Sequence, residues 1–244
     1  MKVAVILPAA GLGTRMGKGN AEKAGTSRKQ FMLLEGSPIL LHTVRKFAFS
    51  ARVSEIVIAV RHDDLDWVAD LMAGEAHGKP VRVVEGGNSR QQSVENALGS
   101  LARDTDLVVV HDAVRSFIDL ETIDKVIEEA AQTDAAIVGI VPVDTVKQVT
   151  RAQTSKAKIR ATLPRERLVL AQTPQVFRYD LLVRAFESAR NDGFIGTDES
   201  SLVERLEVEV SVVLGSDRNI KITKPSDMDL ARLFLEEETA PRVA

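Results

Sequence analysis

Six short apolar, β-branched runs recur along the chain: VAVIL (3–7), EIVIAV (55–60), VRVVE (81–85), LVVVHD (107–112), AAIVGIVPV (135–143) and VEVSVVL (208–214). Between most of them lie stretches with apolar residues three or four apart, the spacing of one helical face. Examples are PILLHTVRKFAF (38–49), SRQQSVENALGSLA (89–102) and LETIDKVIEEAAQ (120–132). Asp119, with Glu121 two residues on, sits where an N-cap and an acidic first turn belong. Strands that alternate with helices, several of them apolar throughout, predict an α/β fold with a mostly parallel sheet covered by helices on both faces.

One stretch breaks the alternation. From about Pro142 to Arg167 the segment PVDTVKQVTRAQTSKAKIRATLPRER is polar and rich in lysine and arginine, with period-two patches at VKQV and KIRAT. Two short, wet strands joined by a turn at AQTSKA (152–157) fit it better than a helix. A hairpin this polar has little core of its own, so it reads as a protruding β-hairpin arm on a single domain spanning 1–244. The final EEETAPRVA (236–244) reads as a frayed tail.

Composition removes several function classes. The 244 residues are 44% hydrophobic and 27% charged with a net charge of -3, which lacks the basic excess of a general nucleic-acid or membrane-surface binder. The absence of cysteine excludes disulfides, thiolate metal sites and a cysteine nucleophile. Four scattered histidines suggest no zinc site. The opening MKVAVILPAAG breaks at Pro8 and Gly11 and lacks a signal-peptide layout, and no segment approaches the roughly 20 apolar residues of a span. A cytoplasmic protein is expected.

The candidate chemistry begins at LPAAGLGTRMG (7–17), directly after the first apolar run. A glycine-rich turn there is a phosphate-binding position, because backbone N–H groups converge on an anion. The dinucleotide pattern G-x-G-x-x-G fails, since Gly11 and Gly13 fit but position 16 is Met. The P-loop pattern fails as well, with three residues rather than four between glycines and Gly19 after Lys18. What remains is a glycine loop with its own cations. Arg15 brings a fork of donors matched to phosphate oxygens, and Lys29 in SRKQF adds a point charge.

PAAGLGTRMG followed by KQF (29–31) resembles the signature of the sugar nucleotidyltransferases, which have a Rossmann-like fold. EGGNSRQQSVENAL (85–98), VHDAVR (110–115), PVDTVK (142–147), AQTPQVF (171–177), TDESSLVE (197–204) and NIKITKPSD (219–227) narrow it. Their order is similar to that in the 2-C-methyl-D-erythritol 4-phosphate cytidylyltransferase family, over nearly the whole chain. Three departures stand out: Arg28 where the family usually has proline, Ser116 in VHDAVRS where it usually has proline, and Pro164 where many members have aspartate. The link from Arg15 to the KQF lysine is also long. Lys18 and Lys23 therefore compete with Lys29 for the catalytic-lysine role, and the Gln-Phe that follows favours Lys29.

The resemblance implies transfer of CMP from CTP to methylerythritol phosphate, with Mg²⁺ or another divalent cation. It implies that Arg15, Lys29, Lys221 and Arg165 are catalytic, and that backbone groups of Ala9, Ala10 and Gly11 cradle CTP with Ala113. Gly87, Asn88 and Ser93 resemble the residues that read cytosine and ribose, although Ser93 is equally a plain first-turn helix serine. Asp112, at the end of LVVVHD, would hold the metal, and His111 beside it reads as structural. Thr145, Arg165, Arg115 and Lys221 are implied as acceptor-binding. With Thr145 and Arg165 on the arm, a homodimer in which each arm serves the neighbour's site is expected, with no nucleic-acid or membrane partner. Ribitol 5-phosphate as acceptor is the nearest alternative, and DTVK on the arm favours methylerythritol phosphate. A non-catalytic nucleotide sensor is another alternative, opposed by the joint presence of Arg15, Lys29, Asp112 and Lys221.

Overall fold

The computed structural model describes residues 1–11, 28–150 and 157–239. Strand β1 (Val3–Pro8) leads to a 3₁₀ turn at Lys29–Phe31 and a tight hairpin of β2 (Leu33–Leu34) and β3 (Ser37–Pro38). Glu35 and Gly36, at φ 46° and 80°, turn that hairpin through the left-handed region. Then follow α1 (Ile39–Phe49), β4 (Glu55–Val60), α2 (Leu65–Met72), β5 (Val81–Glu85), α3 (Arg90–Gly99), β6 (Leu107–Val110), α4 (Leu120–Thr133) and β7 (Ala135–Ile140). The chain continues through β8 (Lys147–Val149), β9 (Ile159–Thr162), β10 (Leu170–Arg178), α5 (Tyr179–Asn191), α6 (Glu199–Glu204), β11 (Ser211–Leu214) and α7 (Pro225–Thr239).

The central sheet runs β11-β7-β10-β6-β1-β4-β5. It is parallel except at β10, which lies antiparallel to both β6 and β7. Each of the six apolar runs forms a strand, while β10 comes from the AQTPQVF stretch, whose proline and glutamines carry no strand pattern. Alternation along the strands assigns the two faces. Val3, Val5 and Leu7 of β1 with Ile56, Ile58 and Val60 of β4 pack beneath α1, α2 and α4. Ala4, Ile6, Val57 and Ala59 face α3, α5 and α6. A strand buried on both sides needs apolar residues at every position, which is why these runs read as continuous rather than alternating.

Caps fix the helix starts where they matter. Asp119 accepts from the Thr122 N–H as expected, and Ser89 does the same for α3 from Gln92. The arm is a small separate sheet, with β8 antiparallel to β9; most of its expected turn at 152–157 lies outside the described residues. The frayed tail expected over 236–244 is corrected for 236–239, which continue α7, its buried Met228 and Ala231 packed with Phe117 and Ile222; residues 240–244 lie outside the described residues. Among the described residues, no helix is long and apolar enough to cross a membrane.

Candidate active site

A cavity of about 530 Å³ opens beyond the carboxyl ends of β1, β4 and β6. Ala9, Ala10 and Gly11 line one side, and Gly87, Asn88 and Ser93 another, with Lys29, Asp112, Ala113 and Lys221 between them. Open parallel sheets place ligands there because successive strands end together and their following loops diverge. The Ala9 N–H still donates to the Ala59 carbonyl at 2.7 Å, so the loop leaves the sheet directly at the cavity. Gln30 pins it from the other side, its Nε2 donating to the carbonyls of Ala9 (2.5 Å) and Gly11 (3.1 Å).

The facing wall depends on one glycine. The Gly86 N–H donates to the Val60 carbonyl at 2.6 Å, which draws the loop after β5 against the loop after β1. A Cβ on Gly86 would stand 2.8 Å from Ala10 Cβ and 3.0 Å from Ser93 Oγ. Ser93 is buried; its hydroxyl donates to the Ser89 carbonyl at 2.8 Å and accepts from the Gly87 N–H at 3.0 Å. In this geometry Ser93 shapes the wall through backbone groups.

Charge concentrates on Asp112. Its Oδ1 accepts from Arg90 Nε at 3.1 Å, and its Oδ2 lies 2.8 Å from Lys221 Nζ and 3.4 Å from Arg115 Nε. Burial by itself pushes this carboxyl up, but the attraction of Arg90 and Lys221 outweighs it and holds Asp112 well below the usual carboxylate range. Arg90 also makes a bidentate contact with the buried carboxylate of Glu199, at 2.7 and 2.9 Å. Burial raises the Glu199 carboxyl, because the one guanidinium opposing that rise is shared with Asp112.

The remaining candidates fall in three places. Arg115 is next to the cavity, its Nη1 donating to the Asn219 carbonyl at 2.7 Å. Thr145 and Arg165 are exposed on the arm and do not line the cavity, with Arg165 bonded to the Val143 carbonyl. Arg15, Lys18 and Lys23 lie outside the described residues. His111 is structural as read: Nδ1 meets Thr173 Oγ1 at 3.1 Å, Nε2 meets the Arg115 carbonyl at 3.0 Å, and burial pushes its pKa down to about 4.

Arg61, Ser89 and Arg90 line the cavity without having stood out in the sequence, as does Gln30 of the KQF motif. Arg90 left a signal, because a cation in the first turn of a helix opposes the helix dipole and calls for an anionic partner. For a metal, the described residues hold no group of three or more acidic, histidine or cysteine ligands. A lone carboxylate facing an anion-sized cavity still suits Mg²⁺, which takes one or two protein carboxylates and fills its shell with substrate phosphates and water. Among the described residues three donors occupy the Asp112 oxygens, of the about four acceptor positions a carboxylate has.

Comparison with known proteins agrees with this geometry. The family model described as 2-C-methyl-D-erythritol 4-phosphate cytidylyltransferase matches residues 3–237. A protein of that name from Solibacter usitatus is 74% identical over 240 residues, covering 98% of both chains. One from Acidobacterium capsulatum is 50% identical over 241 residues, covering 98% of this chain and all of its own. Among solved structures, 4-diphosphocytidyl-2C-methyl-D-erythritol synthase from Anaerococcus prevotii superposes with a TM-score of 0.81 at 28% identity, over 96% of this chain and 98% of that one. The family match spans β1 to the last turns of α7, and with it every wall of the cavity: this chain belongs to the 2-C-methyl-D-erythritol 4-phosphate cytidylyltransferase family.

Proposed function

We propose that the protein transfers CMP from CTP to 2-C-methyl-D-erythritol 4-phosphate, releasing pyrophosphate, as a step toward isoprenoid precursors by the non-mevalonate route. The observation that carries this reading is the convergence of the Ala9–Gly11 backbone, the Gly87–Asn88 loop, Lys29, Asp112 and Lys221 on one cavity. An oxygen of the acceptor's phosphate donates a lone pair to the α-phosphorus of CTP, and the bond to the β-phosphate oxygen breaks as pyrophosphate leaves. Both reactants are anions, so the protein's task is positioning and charge neutralisation rather than nucleophilic catalysis.

In this reading Lys29 and Arg15 face the charge that grows on the α-phosphate and the leaving group. Lys221 gives up its contact with Asp112 to bridge the two substrates. Asp112 is the residue that would hold Mg²⁺ or another divalent cation, and such an ion when bound supplies positive charge against the triphosphate oxygens. Main-chain groups of Gly87 and Asn88 close a pocket sized for a pyrimidine. Thr145, Arg165 and Arg115 hold the acceptor. Thr145 and Arg165 belong to an arm whose Val149 and Ile159 are exposed, which supports a homodimer in which each arm (142–167) completes the neighbouring site. The reaction is assigned to the cytoplasm.

Pyrophosphate release tests the reading. CTP with methylerythritol phosphate and Mg²⁺ should turn over, with ATP and GTP poor donors. Faster turnover with ribitol 5-phosphate would overturn the acceptor, and no turnover with any polyol phosphate would favour a sensor.

A further inference from the structure

The turn that carries Lys29 is anchored on both sides, and one anchor belongs to no motif. Residues Lys29–Phe31 form a single 3₁₀ turn, closed by the Phe31 N–H on the Arg28 carbonyl at 3.0 Å and the Met32 N–H on the Lys29 carbonyl at 3.2 Å. Gln30 is buried against the glycine loop, and Phe31 is buried in the core. Arg28 reaches the opposite way, both its Nη atoms donating to the two carboxylate oxygens of Asp64. Its guanidinium also lies over the Phe31 ring, 5.5 Å from the centroid, and that ring meets Trp67 of α2 edge-on at 4.8 Å.

Asp64 is only 7% exposed, in the short 3₁₀ turn between β4 and α2. Arg61, three residues earlier, lines the cavity. The pair thus joins two cavity walls that the sheet does not connect: the Lys29 turn and the loop after β4. A bidentate, largely buried guanidinium–carboxylate contact fixes direction as well as distance, unlike a surface ion pair. With Arg28, Gln30 and Phe31 each fastened, the Lys29 backbone has little freedom to move relative to the glycine loop.

We propose that Arg28 and Asp64 are a positioning pair for Lys29, holding its ammonium at the charge-stabilising position without touching substrate. The inference rests on the cytidylyltransferase reading and on Lys29 as its catalytic lysine. Displacing a charge-stabilising group by about 1 Å costs up to about 100-fold in rate. Arg28→Ala and Asp64→Asn should therefore each lower kcat by about 10- to 100-fold, with KM for methylerythritol phosphate nearly unchanged. Arg28→Ala/Asp64→Asn should be no slower than the worse single variant, because the two act as one unit. Arg28→Lys, which keeps the charge but loses the fork, should recover part of the rate.

The measurement is steady-state pyrophosphate release, run below the melting temperature of every variant with folding checked by circular dichroism. Wild-type turnover with CTP and methylerythritol phosphate judges the underlying reading; the ratio of variant to wild type judges the pair. Folded Arg28→Ala with wild-type kcat would overturn the proposal, as would single-variant losses that multiply in the double variant. Should Arg28→Ala not fold, Arg28→Lys and Asp64→Glu give the same comparison. Wild-type kcat in both would overturn it equally.

Discussion

Adding one methyl group at Gly86 should damage both the fold and the nucleotide site. A Cβ built there lies 2.8 Å from Ala10 Cβ, 3.0 Å from Ser93 Oγ and 3.2 Å from the Val60 carbonyl oxygen. Carbon atoms rest at about 3.5–4.0 Å, so the contact with Ala10 must open by roughly 1 Å. None of the three neighbours is the end of a flexible chain. Ala10 belongs to the glycine loop, Val60 O is backbone, and Ser93 Oγ is held by Gly87 and Ser89. Moving the Gly86 loop outward would stretch its own 2.6 Å hydrogen bond to Val60. Overpacking costs about 1–3 kcal/mol, and a weakened hydrogen bond adds up to about 1 kcal/mol. For a chain of this length, where 1 kcal/mol shifts Tm by about 2–4 °C, that total lowers Tm by about 2–16 °C. Ala10 and Gly87 are opposite walls of the cavity, so about 1.4 kcal/mol of the strain appearing in the bound state weakens CTP binding about tenfold. Thermal unfolding and calorimetric titration with CTP measure the two effects. Gly99→Ala is the control: its added Cβ meets nothing within 4 Å, and a helical alanine should stabilise by about 0.5–1 kcal/mol. Gly86→Ala with wild-type Tm and CTP affinity would refute this account of the cavity wall.

Lys29→Ala and Lys221→Ala should each lower kcat by roughly 10²-fold, the scale for losing a charge-stabilising donor, with CTP binding weakened far less; wild-type rates in Lys29→Ala beside a dead Lys18→Ala or Lys23→Ala would move the catalytic lysine. Asp227 accepts from the Thr223 and Lys224 N–H groups at 2.7 and 2.9 Å, and although burial pushes its carboxyl up, these bonds hold it below its usual value. That stability is present above the ordinary carboxylate value of 3.8 and is lost as pH falls through the folded one, so the deficit of Asp227→Ala, about 1 kcal/mol by denaturation at pH 7, should narrow in acid. On the proposed trans arrangement of the arms, mixing Arg165→Ala with Lys221→Ala subunits should restore part of the activity, since one site of a mixed dimer would then carry neither lesion. No recovery in verified heterodimers would show that each arm serves its own site or none.

What the sequence made legible follows from where its signals are local. The runs of β1, β4, β6 and β7 are apolar throughout because both faces of these strands are covered, and the caps at Ser89 and Asp119 sit next to the helices they start. β10 was not legible. Its Gln175 spends its amide on Asp198 and the Ser200 N–H, and Thr173 serves His111 and the Asp112 N–H, so the residues that make this strand useful also erase its apolar pattern. The antiparallel direction follows from the returning arm, which re-enters the sheet from the end where β7 left it. Arg90 and Glu199 escaped for a different reason. They are 109 positions apart, so although a cation in the first turn of α3 calls for an anionic partner, nothing local points to Glu199. Arg28 stood out only as a substituted proline; its partner Asp64 is visible only in three dimensions.

The central claim is that the acceptor's phosphate oxygen attacks the α-phosphorus of CTP within this cavity. Methylerythritol phosphate labelled with ¹⁸O in its phosphate oxygens tests it most directly, by mass spectrometry of both products after one turnover. The account predicts that all of the label stays in the CDP-methylerythritol and that the pyrophosphate carries none. Label in the pyrophosphate, or its loss to water from the nucleotide product, would contradict it.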